Sequence, residues 1–212
     1  MDFSRPMSVI TPTVDGDVLT ALAQADASFT PGRLHKVIGR HSEDGVRRAL
    51  RRLVRQGVVE DQAAGKAMLY RLNREHLAAR SIIDLASLWE TFTARLGERF
   101  LTWSVQPRVA VLFGSFARGA MELDSDVDIF VVRPADAPAS EGWDSDVRSL
   151  EDDATRWTGN DVRVLEMTEA HVERHGADEP VLRDILSEGV RLAGDLEWLR
   201  RTVRRASTSG SG

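Results

Sequence analysis

The stretch from Arg108 to Val132 limits the possible folds more than any other part of the chain. Val109-Ala110-Val111-Leu112-Phe113 is an unbroken apolar run and reads as a buried strand. It leads straight into Gly114-Ser115-Phe116-Ala117-Arg118-Gly119, a turn rich in small residues. Ten residues separate Ser115 from Asp126, where Asp126-Val127-Asp128-Ile129-Phe130-Val131-Val132 predicts a second strand. Side chains alternate along a strand, so Asp126 and Asp128 share one face while Val127, Ile129 and Val131 point to the core.

Two bare carboxylates on one face repel each other unless a cation sits between them. The sequence has no cysteine, so no disulfide or thiolate site can form, and oxygen-only donors select Mg²⁺ or Mn²⁺. The Gly-Ser turn offers backbone N–H groups and a hydroxyl to phosphate oxygens. Gly114 allows close backbone approach. Together these parts suit a nucleoside triphosphate with its metal ions. The plain alternative is an acidic strand end behind an ordinary turn.

Phe113, Gly114, Ser115, Asp126, Val127, Asp128 and Ile129 resemble the signature of the nucleotidyltransferase superfamily typified by DNA polymerase β. Arg118-Gly119 and Ser125 are similar to its small bacterial members, and the resemblance covers about residues 105–194. It implies an α+β fold with a palm-like mixed sheet and helices on one face. It also implies in-line attack on the α-phosphate of an NTP with loss of pyrophosphate. Asp126 and Asp128 would hold Mg²⁺ or Mn²⁺, and Gly114 and Ser115, helped by Arg118, would seat the outer phosphates.

Family members carry a third carboxylate on a later strand. Here a helix expected over about residues 142–157 leads through Thr158-Gly159-Asn160 to the strand Asp161-Val162-Arg163-Val164-Leu165-Glu166. With Val162 and Val164 inward, Asp161 and Arg163 share the carboxylate face, and Glu166 has the opposite parity. The resemblance places the third acid nearer Arg163, so the sequence departs from the pattern. Either Asp161 acts as the base, or Arg163 leaves a nucleotide-binding site with little or no transfer. The second case suggests a transcriptional regulator that senses a nucleotide. Small bacterial members also occur in toxin–antitoxin pairs, which is a third possibility.

The other half differs in charge. Residues 1–80 carry a net +4 and residues 81–212 a net −9, which separates two modules. Residues 1–13, with Pro6 and Pro12 and no periodicity, are expected to form a loose arm. Helices are expected from about Asp17 to Ala25, from Pro31 to Gly39 behind the cap Thr30, and from Ser42 to Gln56. The third has Val46, Ala49, Leu50 and Leu53 on one side. Arg47, Arg48, Arg51, Arg52 and Arg55 fall on the other, with no acid expected to face them. A hairpin then follows, with Val58-Val59-Glu60 in one strand and Met68-Leu69-Tyr70-Arg71-Leu72 in the other.

Over residues 14–73 this order resembles a winged helix-turn-helix domain. That resemblance implies binding of double-stranded DNA, with the five arginines in the major groove and Lys66 and Arg71 on the wing. Residues 74–104 read as a connecting helix whose stripe (Leu77, Ile82, Leu85, Leu88, Trp89, Phe92, Leu96, Phe100, Trp103) could pack within the chain or against a second copy in a homodimer.

Residues 195–212 are expected to close the chain with a helix end and a flexible tail. The start of the chain lacks the basic and apolar segments of a signal peptide, so a cytoplasmic location without membrane contact is expected. Asp124-Ser125-Asp126-Val127-Asp128 begins like a calcium loop, but Ile129 stands where that loop needs glycine. His171 and His175 have metal-like spacing without further zinc ligands.

Overall fold

Thr30 and Ser42 start two helices in the same way. The Thr30 hydroxyl accepts from the Arg33 N–H at 3.3 Å and the Ser42 hydroxyl from the Gly45 N–H at 3.1 Å. The computed structural model that shows this describes residues 1–117, 125–137 and 141–209. It divides into two units, Asp2–Thr91 and Phe92–Gly212.

In the first unit, helices α1 (Val14–Ala23), α2 (Pro31–Ile38) and α3 (Glu43–Arg55) precede a hairpin of β1 (Val59–Ala64) and β2 (Ala67–Leu72). The hairpin is antiparallel with Ala64 opposite Ala67, and Gly65 in the two-residue turn has φ +60°. Phe29 adds a single antiparallel bridge to Tyr70. The predicted inner face of α3, Val46, Ala49, Leu50 and Leu53, is buried with Val18, Leu22 and Leu34 in one core.

Two expectations for this half change. Residues 1–13 are no loose arm. Pro6–Val9 form a 3₁₀ turn, and Phe3, Pro6 and Met7 are buried. Phe3 meets the Trp89 ring edge-on at 5.8 Å, an anchor 86 positions away that local periodicity cannot reveal. Arg5 donates through Nε and Nη2, each at 3.2 Å, to both oxygens of the buried Asp17.

The stretch 74–104, expected as one helix, holds α4 (Ala79–Ala86) and α5 (Leu88–Leu101), which meet at Ser87. Ile82, Phe92, Leu96, Phe100 and Trp103 of its stripe are buried within the chain, whereas Leu77 is fully exposed.

The second unit is built on a mixed sheet of order β5-β4-β3-β6. Strands β3 (Val109–Phe113) and β4 (Val127–Arg133) are antiparallel. Strand β5 (Val162–Thr168) runs parallel to β4, and β6 (Val190–Gly194) antiparallel to β3. The helices are α6 (Gly114–Ala117), α7 (Glu141–Thr158), α8 (Glu169–His175), α9 (Pro180–Glu188) and α10 (Leu196–Ser209).

The α+β class holds, but helices cover both faces of the sheet. Val109, Val111, Phe130 and Val132 pack with Val172 of α8, Leu182 and Ile185 of α9, and Trp198 and Leu199 of α10. The alternate residues Ala110, Leu112, Ile129 and Val131 are equally buried on the other face. There α7 reaches across, with Trp143 Nε1 donating to Glu166 Oε2 at 2.9 Å. Central strands that are apolar on both faces, as β3 and residues 129–132 of β4 are, have to be covered on both sides.

Candidate active site

Strand β3 ends at Phe113, directly opposite Asp128 of β4, and Asp128 lies in turn opposite Arg163 of β5. The row Phe113–Asp128–Arg163 therefore crosses three strands at the sheet end where the chain turns into α6. Val127 is buried between the two acids, while Asp126 and Asp128 are half-buried on the shared face the alternation predicts.

Gly114 opens α6 with φ +76°, a left-handed conformation that disfavours any side chain. Its backbone sits hard against Asp128: a Cβ on Gly114 would lie 2.6 Å from Asp128 Oδ2. Only glycine fits both the turn and the carboxylate. Ser115 follows, half-buried, on the same short turn, and Phe116 anchors the turn in the core. Burial, reinforced by the neighbouring Asp126 charge, pushes the Asp128 carboxyl above its ordinary pKa, and the nearby Arg163 opposes that shift.

The position where a third acid was expected carries a cation. Arg163 Nη1 lies 3.0 Å from Asp126 Oδ2. Asp161 precedes β5, and its carbonyl accepts from the Val127 N–H at 2.8 Å, so its backbone runs beside Asp126. Its side chain is exposed. Glu166 accepts from Trp143 and pairs with Arg133 at 3.3 Å, which gives it a structural role away from the acids. Arg118 lies outside the described residues.

Among the described residues no three acids or histidines come together as a metal cluster. Two carboxylates on one face, one of them partly desolvated, would fit a divalent cation that takes further oxygen ligands from elsewhere. His171 is engaged by Glu179, at 2.8 Å from Nε2 to Oε1.

Residues 96–191 match the family model of the nucleotidyltransferase domain. No curated protein matches the chain. Among solved structures, a toxin–antitoxin complex with AMP-PNP is similar at 16% identity and a TM-score of 0.38, over 57% of this chain and 86% of that one. The MntA–HepT toxin–antitoxin complex is similar at 12% identity and a TM-score of 0.37, over 57% of this chain and 86% of that one. TrmBL2, described as an archaeal chromatin protein with a novel mode of DNA binding, is similar at 16% identity and a TM-score of 0.31. It covers 88% of this chain and 78% of its own.

On α3 the five arginines share the exposed side, but the expectation that no acid faces them is overturned. Arg47 pairs with Glu43 and Arg48 with Asp44, each one turn back, and Arg52 pairs with Asp15 of α1. Among the described residues Arg51 and Arg55 have no ion pair. They line a cleft of about 550 Å³ between α3 and the hairpin, together with Arg48, Arg52, Asp61 and Tyr70. Lys66 is exposed at the hairpin turn, and Arg71 is paired with Glu60 at 2.7 Å. The Asp15–Arg52 pair spans 37 positions, beyond the reach of local periodicity. The other two pairs were readable from their i, i+4 spacing. Among the described residues no helix is long and apolar enough to cross a membrane.

Proposed function

We propose that the nucleotidyltransferase domain transfers the nucleoside monophosphate of a Mg²⁺- or Mn²⁺-bound NTP to an acceptor, and that the N-terminal unit binds double-stranded DNA as a winged helix. One observation carries the first part: Asp126, just before β4, and Asp128 of β4 both lie beside Arg163, with the Gly114 backbone pressed against the Asp128 carboxylate. Asp126 and Asp128 hold the cation. Gly114 and Ser115 hold the outer phosphates through backbone N–H groups and the hydroxyl. A bound divalent cation neutralises the triphosphate charge and draws electron density from phosphorus. Asp161 receives the proton of the attacking hydroxyl as the oxygen–phosphorus bond forms and pyrophosphate leaves. The arginine face of α3 and Lys66 at the wing support DNA binding through phosphate contacts.

A second reading has its own support. The Arg163 guanidinium on Asp126 favours a regulator whose domain senses a nucleotide and transfers nothing. Incubation with α-labelled NTPs, Mg²⁺ and cell lysate separates the two. Label on an acceptor, lost in Asp126→Asn/Asp128→Asn, supports transfer. Absence of label, with Mg-NTP changing DNA affinity in a gel-shift titration, supports sensing. Calorimetry in which the double variant binds Mg-ATP as the parent does rejects both.

A further inference from the structure

Arg163 faces two tasks that exclude each other. Its Nη1 lies 3.0 Å from Asp126 Oδ2, yet it is opposite Asp128 in the row that ends beside the Gly114-Ser115 turn. Strands lie about 4.8 Å apart, so its Cα is about 10 Å from that of Phe113, and an extended arginine reaches most of that way. The Arg163 side chain is 67% exposed and Asp126 36%, so the pair is weak in water and easily exchanged. A guanidinium gains two parallel hydrogen bonds from a phosphate as readily as from a carboxylate.

The geometry points to Arg163 as the group that couples cation binding to nucleotide binding: it occupies Asp126 until a triphosphate arrives, then transfers to the phosphates and frees Asp126 for the cation. The inference rests on the reading of this site as one for a metal-bound nucleotide, and adds to it an order of events. A cation arriving alone must displace a guanidinium from one of its two carboxylates. Among the described residues no third acid joins them to compensate. A nucleotide arriving alone finds the same guanidinium as an attractor. Each ligand therefore removes an obstacle to the other, and the coupling is reciprocal.

Arg163→Gln separates this role from a structural one, because an exposed side chain at the sheet surface can be replaced without unfolding. Mn²⁺ alone, followed by electron paramagnetic resonance, should bind Arg163→Gln about threefold to tenfold more tightly than the parent, the range for relieving one exposed ion pair and one nearby like charge. ATP in excess EDTA, followed by calorimetry, should bind Arg163→Gln more weakly than the parent. The factor by which ATP tightens Mn²⁺ should shrink accordingly, and Arg163→Lys should restore part of it. A parent that binds Mn-ATP while Arg163→Gln leaves both single-ligand affinities unchanged overturns this inference and leaves the nucleotide site standing. A parent that binds no Mn-ATP overturns the site and the inference together.

Discussion

Gly114 and Asp128 are built against each other: a methyl group on Gly114 would come within 2.6 Å of Asp128 Oδ2. The same substitution would hold an L-residue at φ +76°, which costs about 1–2 kcal/mol. Gly114→Ala should therefore lower the melting temperature and also swing the Asp128 carboxylate off its position. Mg-ATP affinity should fall at least about tenfold, or ~1.4 kcal/mol. Calorimetry on the folded variant checks this. Unchanged affinity would show that Asp128 does not hold the cation.

The proposed DNA surface can be tested arginine by arginine. Arg51 and Arg55 enter the cleft beside Tyr70 without an acid partner among the described residues, whereas Arg47 is shared with Glu43. Arg51→Ala and Arg55→Ala should each weaken duplex binding and flatten its salt dependence by about 0.9 per lost phosphate contact. Arg47→Ala should do less. Asp15→Asn should act in the opposite direction, because it releases Arg52 from its pair. Gel-shift titrations at several salt concentrations give all four slopes. Equal slopes throughout would remove α3 from the interface.

Stability in acid should depend on Asp17. Burial acts to raise its pKa, but hydrogen bonds from Arg5 and His41, with the charges of Arg5 and Arg40, outweigh burial and hold it below 3.8. A carboxylate whose folded pKa is depressed stabilises the fold above its unfolded pKa and loses that contribution as pH falls through the folded value. Asp17→Asn should cost about 1–3 kcal/mol near neutral pH. The gap in melting temperature between parent and variant should close at acid pH, starting below about pH 5. A gap that stays constant from neutral pH to pH 2 would mean that the charge of Asp17 contributes nothing.

What the sequence revealed follows the range of the forces involved. Asp126 and Asp128 sharing a face is a two-residue fact, and the close backbone approach that Gly114 allows is a one-residue fact, so both were readable. Parity also placed Arg163 on the acid face. Its pairing with Asp126 depends on the parallel register of β5 on β4, fixed by contacts 35 positions apart. Glu43 and Asp44 stand in the first turn of α3, where the helix dipole favours acids. Their i, i+4 relation to Arg47 and Arg48 was present in the same residues and changes how basic that face is. The N-terminal arm failed for the opposite reason. Nothing within residues 1–13 shows that Phe3 will find Trp89.

The two readings of the site make opposite predictions for Asp161 and Arg163. It stands just before β5, with its carbonyl bonded to Val127 and its side chain exposed on the acid face by parity. If it takes the acceptor proton, Asp161→Ala should lower nucleotidyl transfer about 10²–10⁴-fold, the range for losing a general base. Mg-ATP affinity should barely change, because Asp126 and Asp128 remain. If Arg163 has instead disabled the site, the parent should transfer no label at all. Arg163→Asp should then restore weak transfer, because it replaces a cation with an acid opposite Asp128 and frees Asp126. One assay with labelled NTP on the parent and both variants distinguishes these outcomes. A parent that transfers label as fast as Asp161→Ala would reject Asp161 as the base and leave Asp126 and Asp128 as the acids that carry the reaction.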